Sequence, residues 1–146
     1  MELIRYKKAY FDFEILETYE AGLVLRGYEV KAIRHKNINL KGGYILFKHG
    51  EAWVENIDIG AYQAKNQPPE DTHHPRKLLL KKAEIAKLLA HSESPGLTVV
   101  PLRILLKNNR IKLEIGLCRG KKKYDKRDTI KKRDLDREIR KSVKLR

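Results

Sequence analysis

The chain has 146 residues, 41% of them hydrophobic, which is material for one domain with a real core. Its 33 Lys+Arg against 19 Asp+Glu leave a net charge of +14, and that excess calls for a polyanion, either nucleic acid or an anionic membrane face. Met1 to Lys8 holds no apolar stretch of signal-peptide length, no run reaches the roughly 20 apolar residues of a membrane helix, and a lone Cys118 excludes an intramolecular disulfide, so a cytoplasmic protein is expected.

Taken in chain order, the body reads mostly as strands. Phe11, Phe13 and Ile15 alternate with Asp12 and Glu14, the period-2 pattern of a half-buried strand. Thr18 to Leu25 is predicted as a short helix ended by Gly27, and Glu29 to Arg34 as another alternating strand. Residues 44–47 and 52–54 flank Lys48-His49-Gly50-Glu51, a hairpin turn with Gly50 at positive φ. Residues 63–75 form a polar loop long enough to be functional. A second helix is predicted from Pro75 to His91, stopped by Ser94-Pro95-Gly96. Val100, Leu102, Ile104 and Leu106 then pair with Ile111, Leu113, Ile115 and Leu117 across Asn108-Asn109. Pro101 has no N–H for a ladder, so its strand is an edge there or carries a bulge. About six strands with two or three helices fit a mainly β fold, a small closed or partly open OB-like antiparallel barrel, with Trp53 and Phe47 in its core.

The last 28 residues differ in kind. Residues 119–146 hold 14 of the basic side chains and 5 acids, net +9, and only Ile130, Leu135, Ile139, Val143 and Leu145 are apolar beyond Tyr124. That is too little to build a core. The division expected is a compact body over 1–118 and a basic tail over 119–146 that does not fold alone.

Catalytic patterns are mostly missing. The three serines, 92, 94 and 142, lie outside any nucleophile-elbow frame, and the five histidines never take the His-Glu-x-x-His spacing. His73-His74 lacks thiolate company and reads as plain polar sequence. Gly116-Leu117-Cys118-Arg119-Gly120-Lys121-Lys122 leaves a strand as a P-loop does. It has three residues between its glycines instead of four, and Lys122 where a Ser/Thr must hold Mg²⁺. No enzyme and no cofactor are expected. What remains is phosphate chemistry. Residues 119–127 pack six cations around Gly120 and Tyr124, and an aromatic among cations suits single-stranded or looped RNA. Arg76 and Lys77, with Lys81, Lys82 and Lys87, form a second basic group on the predicted helix.

Five stretches in order then carry a resemblance: residues 17–22 (Glu-Thr-Tyr-Glu-Ala-Gly), 27–31 (Gly-Tyr-Glu-Val-Lys), 75–80 (Pro-Arg-Lys-Leu-Leu-Leu), 98–102 (Thr-Val-Val-Pro-Leu) and 120–127 (Gly-Lys-Lys-Lys-Tyr-Asp-Lys-Arg). From about residue 6 onward the chain resembles the SsrA-binding protein (small protein B) family, the bacterial partners of transfer-messenger RNA. It departs at Tyr6, where the family usually has Asn, at Tyr28, usually Thr, and at Lys81, often His. The resemblance implies a non-catalytic protein that binds the tRNA-like part of transfer-messenger RNA and supports its delivery with elongation factor Tu. It implies that the protein enters stalled ribosomes for trans-translation, with a tail that turns helical there. As RNA contacts it points to Lys7, Lys8, Glu29, Lys31, Arg34, His74, Arg76, Lys77, Lys81, Lys82, Arg119, Lys121, Lys122 and Lys123. For the decoding centre it points to Tyr124, Asp125, Lys126, Arg127, Ile130, Lys131, Lys132 and Arg133. Two rival readings are a structural ribosomal protein and a Mg²⁺ nuclease built on Asp12, Glu14 or Glu29.

Overall fold

A computed structural model describes residues 1–60 and 72–120; Lys121 and everything after it, and residues 61–71, which include most of the expected 63–75 polar loop, lie outside the described residues. The elements are β1 (Glu2–Arg5), α1 (Lys7–Asp12), β2 (Phe13–Leu23), α2 (Gly27–Arg34), β3 (Ile38–Asn39), β4 (Tyr44–Lys48), β5 (Glu51–Glu55), β6 (Asp58–Ile59), β7 (Arg76–Leu79), α3 (Lys82–Ser92), β8 (Leu97–Lys107) and β9 (Arg110–Gly120). Seven strands form one antiparallel sheet in the order β1-β8-β9-β2-β7-β5-β4, and β3 pairs with β6 beside it. The mainly β antiparallel fold stands as expected. Of the closed and partly open forms expected, the closed one is ruled out among the described strands, because β1 and β4 are left as the two ends of the sheet.

Two local assignments reverse. Thr18 to Leu23 is strand, because β2 pairs with β9 through nine registered residues and with β7 at its end. Residues 29–34 are helix: Glu29 reaches back to the Arg26 N–H in a capping box, and Glu29, Ala32 and Ile33 form its buried stripe. Short alternation could not distinguish these two outcomes, and tertiary pairing overrode it. The predicted 75–91 helix is split. Residues 76–79 become β7, paired with β5 and β2, and α3 begins only at Lys82, where Glu84 accepts from the Lys81 N–H. Phe11 and Asp12 close α1, and the strand starts at Phe13.

Both hairpins are where the turn chemistry put them. His49 and Gly50 take positive φ between β4 and β5, and Asn108 and Asn109 do so between β8 and β9, the left-handed pair that a two-residue turn requires. At Pro101 both expected features occur. β1 pairs only with Arg103 to Leu105, leaving Pro101 beyond its reach, and the β8–β9 register shifts between Pro101 and Arg103.

That bulge has a packing purpose. Val99 and Ile104 enter the main core with Ile33, Ile57, Leu78, Leu88, Leu113 and Ile115, whereas Val100 and Leu102 enter a second cluster with Ala9 and Cys118. The main core lies between the sheet and α2 and α3; the second lies under α1. A strict period-2 strand would keep Val100, Leu102 and Ile104 on one face, so the extra residue switches the face. β2 does the same through a shift between Ile15 and Glu17, which leaves Leu16 exposed, puts Phe13 and Ile15 against the α1 cluster and sends Tyr19, Ala21 and Leu23 to the main core. Phe47 packs against that core; Trp53 is only half-buried.

Candidate nucleic-acid interface

The expected contact residues fall into three groups. Lys7 and Lys8 are exposed on α1, Lys31 and Arg34 on α2, and Lys81 and Lys82 at the start of α3. Lys77 is half-buried on β7, with its ammonium 3.5 Å from Glu51. Arg119 is exposed and ion-paired to Glu14 at 2.7 Å, and Lys87 to Glu17 at 3.2 Å, so a phosphate would compete there with a carboxylate. Lys107 and Glu20 form a third such pair.

Glu29 and Arg76 depart from expectation as surface contacts, since their side chains are fully buried. Arg76 Nε donates to Glu29 Oε2 at 2.9 Å, and Nη2 lies 2.8 Å from the same oxygen. Nη1 donates to the Ile57 carbonyl at 3.0 Å and Nη2 to the Thr72 carbonyl at 2.9 Å. His74, partly exposed, places Nε2 3.0 Å from Glu29 Oε2. A buried carboxylate survives only when paired and hydrogen-bonded, and this one is. The engagement also removes Glu29 from any metal-holding set with Asp12 and Glu14, and Glu14 is itself held by Arg119. Neither carboxylate is poised for the rival nuclease chemistry.

Sequence reasoning missed one feature, a cleft beside the basic residues. Where β2, α2, β7 and the β8–β9 hairpin meet, a cleft of about 280 Å³ has Leu25, Val30 and Leu79 as its apolar side and Arg110 and Lys112 as its basic side. Leu79 is 54% exposed, an unusual placement for the centre of a triple-leucine run. Gly22 permits it: a Cβ there would stand 3.2 Å from Leu79 Cβ and press β7 away. Arg34 Nη2 donates to the Asn109 carbonyl at 3.4 Å, linking α2 to the hairpin tip. Among the described residues Arg110, Lys112, Lys81 and Lys82 have no carboxylate within ion-pair distance. Apolar surface beside uncompensated cations is what an unstacked base and its phosphates require. The signal available beforehand was alternation: strict period 2 puts Leu79 opposite Leu78 across β7, so one of the two had to face outward.

A mainly β body with a basic, partly apolar cleft offers a surface of the kind that suits nucleic acid. A family model described as "SmpB protein" matches residues 3–145. An SsrA-binding protein from Streptococcus mutans is 50% identical over 138 residues, covering 94% of this chain and 89% of the relative. One from Persephonella marina is 45% identical over 138 residues, covering 94% and 91%. A solved structure described as "tmRNA-SmpB: a journey to the center of the bacterial ribosome" contains a chain 40% identical to this one, with a TM-score of 0.70 over 84% of this chain and 87% of that one. The chain belongs to the SmpB protein family.

Proposed function

We propose that this protein binds the tRNA-like part of transfer-messenger RNA with its body and carries it to stalled ribosomes for trans-translation. The carrying observation is the Leu79 cleft, apolar on one side and basic on the other, in a chain that matches an SsrA-binding protein over 94% of its length. Folded RNA is held by phosphate, 2′-hydroxyl and shape contacts, which need a rigid surface but no sequence reading. Lys7, Lys8, Lys31, Arg34, His74, Lys77, Lys81, Lys82 and Arg119 are the surface contacts in this reading, joined by Arg110 and Lys112. No group acts catalytically. The protein works in the cytoplasm, and elongation factor Tu joins through the charged RNA rather than through this chain.

The expected boundary at 118 falls inside β9, which runs to Gly120, so in this reading the separate working part of 119–146 begins as that strand ends. Lys121, Lys122 and Lys123 continue the RNA contact. Tyr124, Asp125, Lys126, Arg127, Ile130, Lys131, Lys132 and Arg133 serve the decoding centre, where the tail becomes helical against ribosomal RNA. The test is to purify the protein from its cells and sequence the RNA that comes with it. One stable transfer-messenger RNA, at amounts well below ribosomes, is expected. Unit stoichiometry with ribosomal subunits favours the structural ribosomal protein instead.

A further inference from the structure

Glu29 and Arg76 sit within the proposed RNA-facing region but are wholly buried, and their bonds reach every segment around it. The Glu29 carboxylate caps α2 through the Arg26 N–H at 2.9 Å while its other oxygen takes Arg76. Arg76, at the head of β7, also holds the carbonyls of Ile57 and Thr72, which lie on either side of residues 61–71. One planar guanidinium therefore ties the N-terminus of α2, the chain before that segment and the chain after it. On the exposed sides of the same elements stand Lys31 and Arg34 of α2, and His74 and Lys77 flanking Arg76.

We propose that Glu29 and Arg76 are positioning residues, an internal tie that sets the spacing of the α2 and β7 cations while touching no RNA. The proposal rests on the RNA-binding reading above. Its chemistry is specific to arginine. The fork places two nitrogens on one carboxylate oxygen and reaches two carbonyls besides, which a lysine's point charge does not reproduce. A phosphate contact differs, because lysine serves a phosphate almost as well.

The experiment measures binding of full-length transfer-messenger RNA across a salt series, for wild type, Arg76→Ala, Arg76→Lys, Glu29→Gln and Lys77→Ala. For Lys77→Ala the slope of log K against log salt falls by roughly 0.7–0.9, the share of a single neutralised phosphate. For Arg76→Ala the slope stays at the wild-type value while affinity drops roughly tenfold to a hundredfold, the scale of one charged hydrogen bond. Arg76→Lys behaves like Arg76→Ala, and Glu29→Gln moves the same way. Should Arg76→Ala fail to fold, Arg76→Lys and Glu29→Gln carry the comparison. Hydrogen exchange separates positioning from general stability: protection disappears at Val30 and Gly60, whose amides bond to Arg26 and Asn37, and is kept along β8–β9. A slope that falls in Arg76→Ala and returns in Arg76→Lys overturns the tie, as does unchanged affinity or uniform loss of protection. Wild-type protein that prefers no RNA overturns the underlying function instead.

Discussion

Cys118 shows how burial sets chemistry at a single residue. It is fully buried in the cluster under α1, its Sγ lies 3.3 Å from the Gly116 carbonyl, and burial pushes its thiol up to about 12 from an ordinary 9.0. The folded thiol stays protonated where an unfolded one ionises, so this residue withdraws stability as pH rises from 9 toward 12. At pH 8 the native protein is expected to react with a thiol reagent only at its global opening rate. Labelling as fast as free cysteine contradicts the burial. Glu17 behaves oppositely. The Tyr19 hydroxyl first, and then the Lys87 ammonium, hold its carboxyl below the ordinary 4.5. Its contribution is present above that value and is lost as pH falls through the lowered one. Glu17→Gln is expected to differ from wild type in urea stability at pH 7, with the gap closing in acid. A gap that persists at pH 3 assigns the effect to packing.

At the scale of elements, the two bulges decide how the long strands serve two cores. Gly116 stands opposite Val100 just before the β8 bulge, and a Cβ on it would come within 2.7 Å of Leu102 Cδ1 and 3.2 Å of Cys118 Sγ. Leu102 is the residue that the bulge inserts. Gly116→Ala is therefore expected to destabilise by about 1–3 kcal/mol, the ordinary cost of overpacking, read as a shift in urea midpoint. Gly116→Ala combined with Leu102→Ala should recover part of that loss relative to the sum of the single changes. Strict additivity means that the two positions do not meet. The hairpin at Asn108-Asn109 was legible in the sequence because turn chemistry is local. The bulges were half-legible: Pro101 marked one, and nothing at Leu16 marked the other.

Across the whole molecule, the expected division of labour separates affinity from rescue. The full chain and a chain lacking 119–146 make the comparison directly. The shortened protein is expected to keep much of its transfer-messenger RNA affinity and to lose tagging on stalled ribosomes, because folded RNA needs a rigid surface and the packed body supplies one. Tyr124→Ala, or Lys126→Ala with Arg127→Ala, should spare RNA affinity and impair tagging. If the Tyr124 ring stacks on a ribosomal RNA base, that contact is expected to contribute roughly 1–3 kcal/mol by the usual scale of base–aromatic contacts. Normal tagging by these variants returns the stretch to a solvated linker, whereas weakened affinity moves Tyr124 to the body's RNA surface.

Sequence by itself determined the quantities that are sums or local rules. Net charge, the basic last 28 residues, the hairpin turns and the alternation of β8 and β9 need no knowledge of what lies across from them, and five short motifs in order were enough for the family. Tertiary structure decided everything that depends on a partner distant in the chain. Residues 18–23 became strand because β9 was there to pair with, and the 29–34 helix could bury its Ala32–Ile33 stripe and its capping Glu29 because a core and the pairing guanidinium of Arg76, 47 residues away from Glu29, were there to receive them. The same distance explains the site. Sequence counts Arg76 as one more cation beside Lys77, but β7 turns successive side chains to opposite sides. One enters the protein as a tie, and the next stays toward the surface, where a phosphate can reach it.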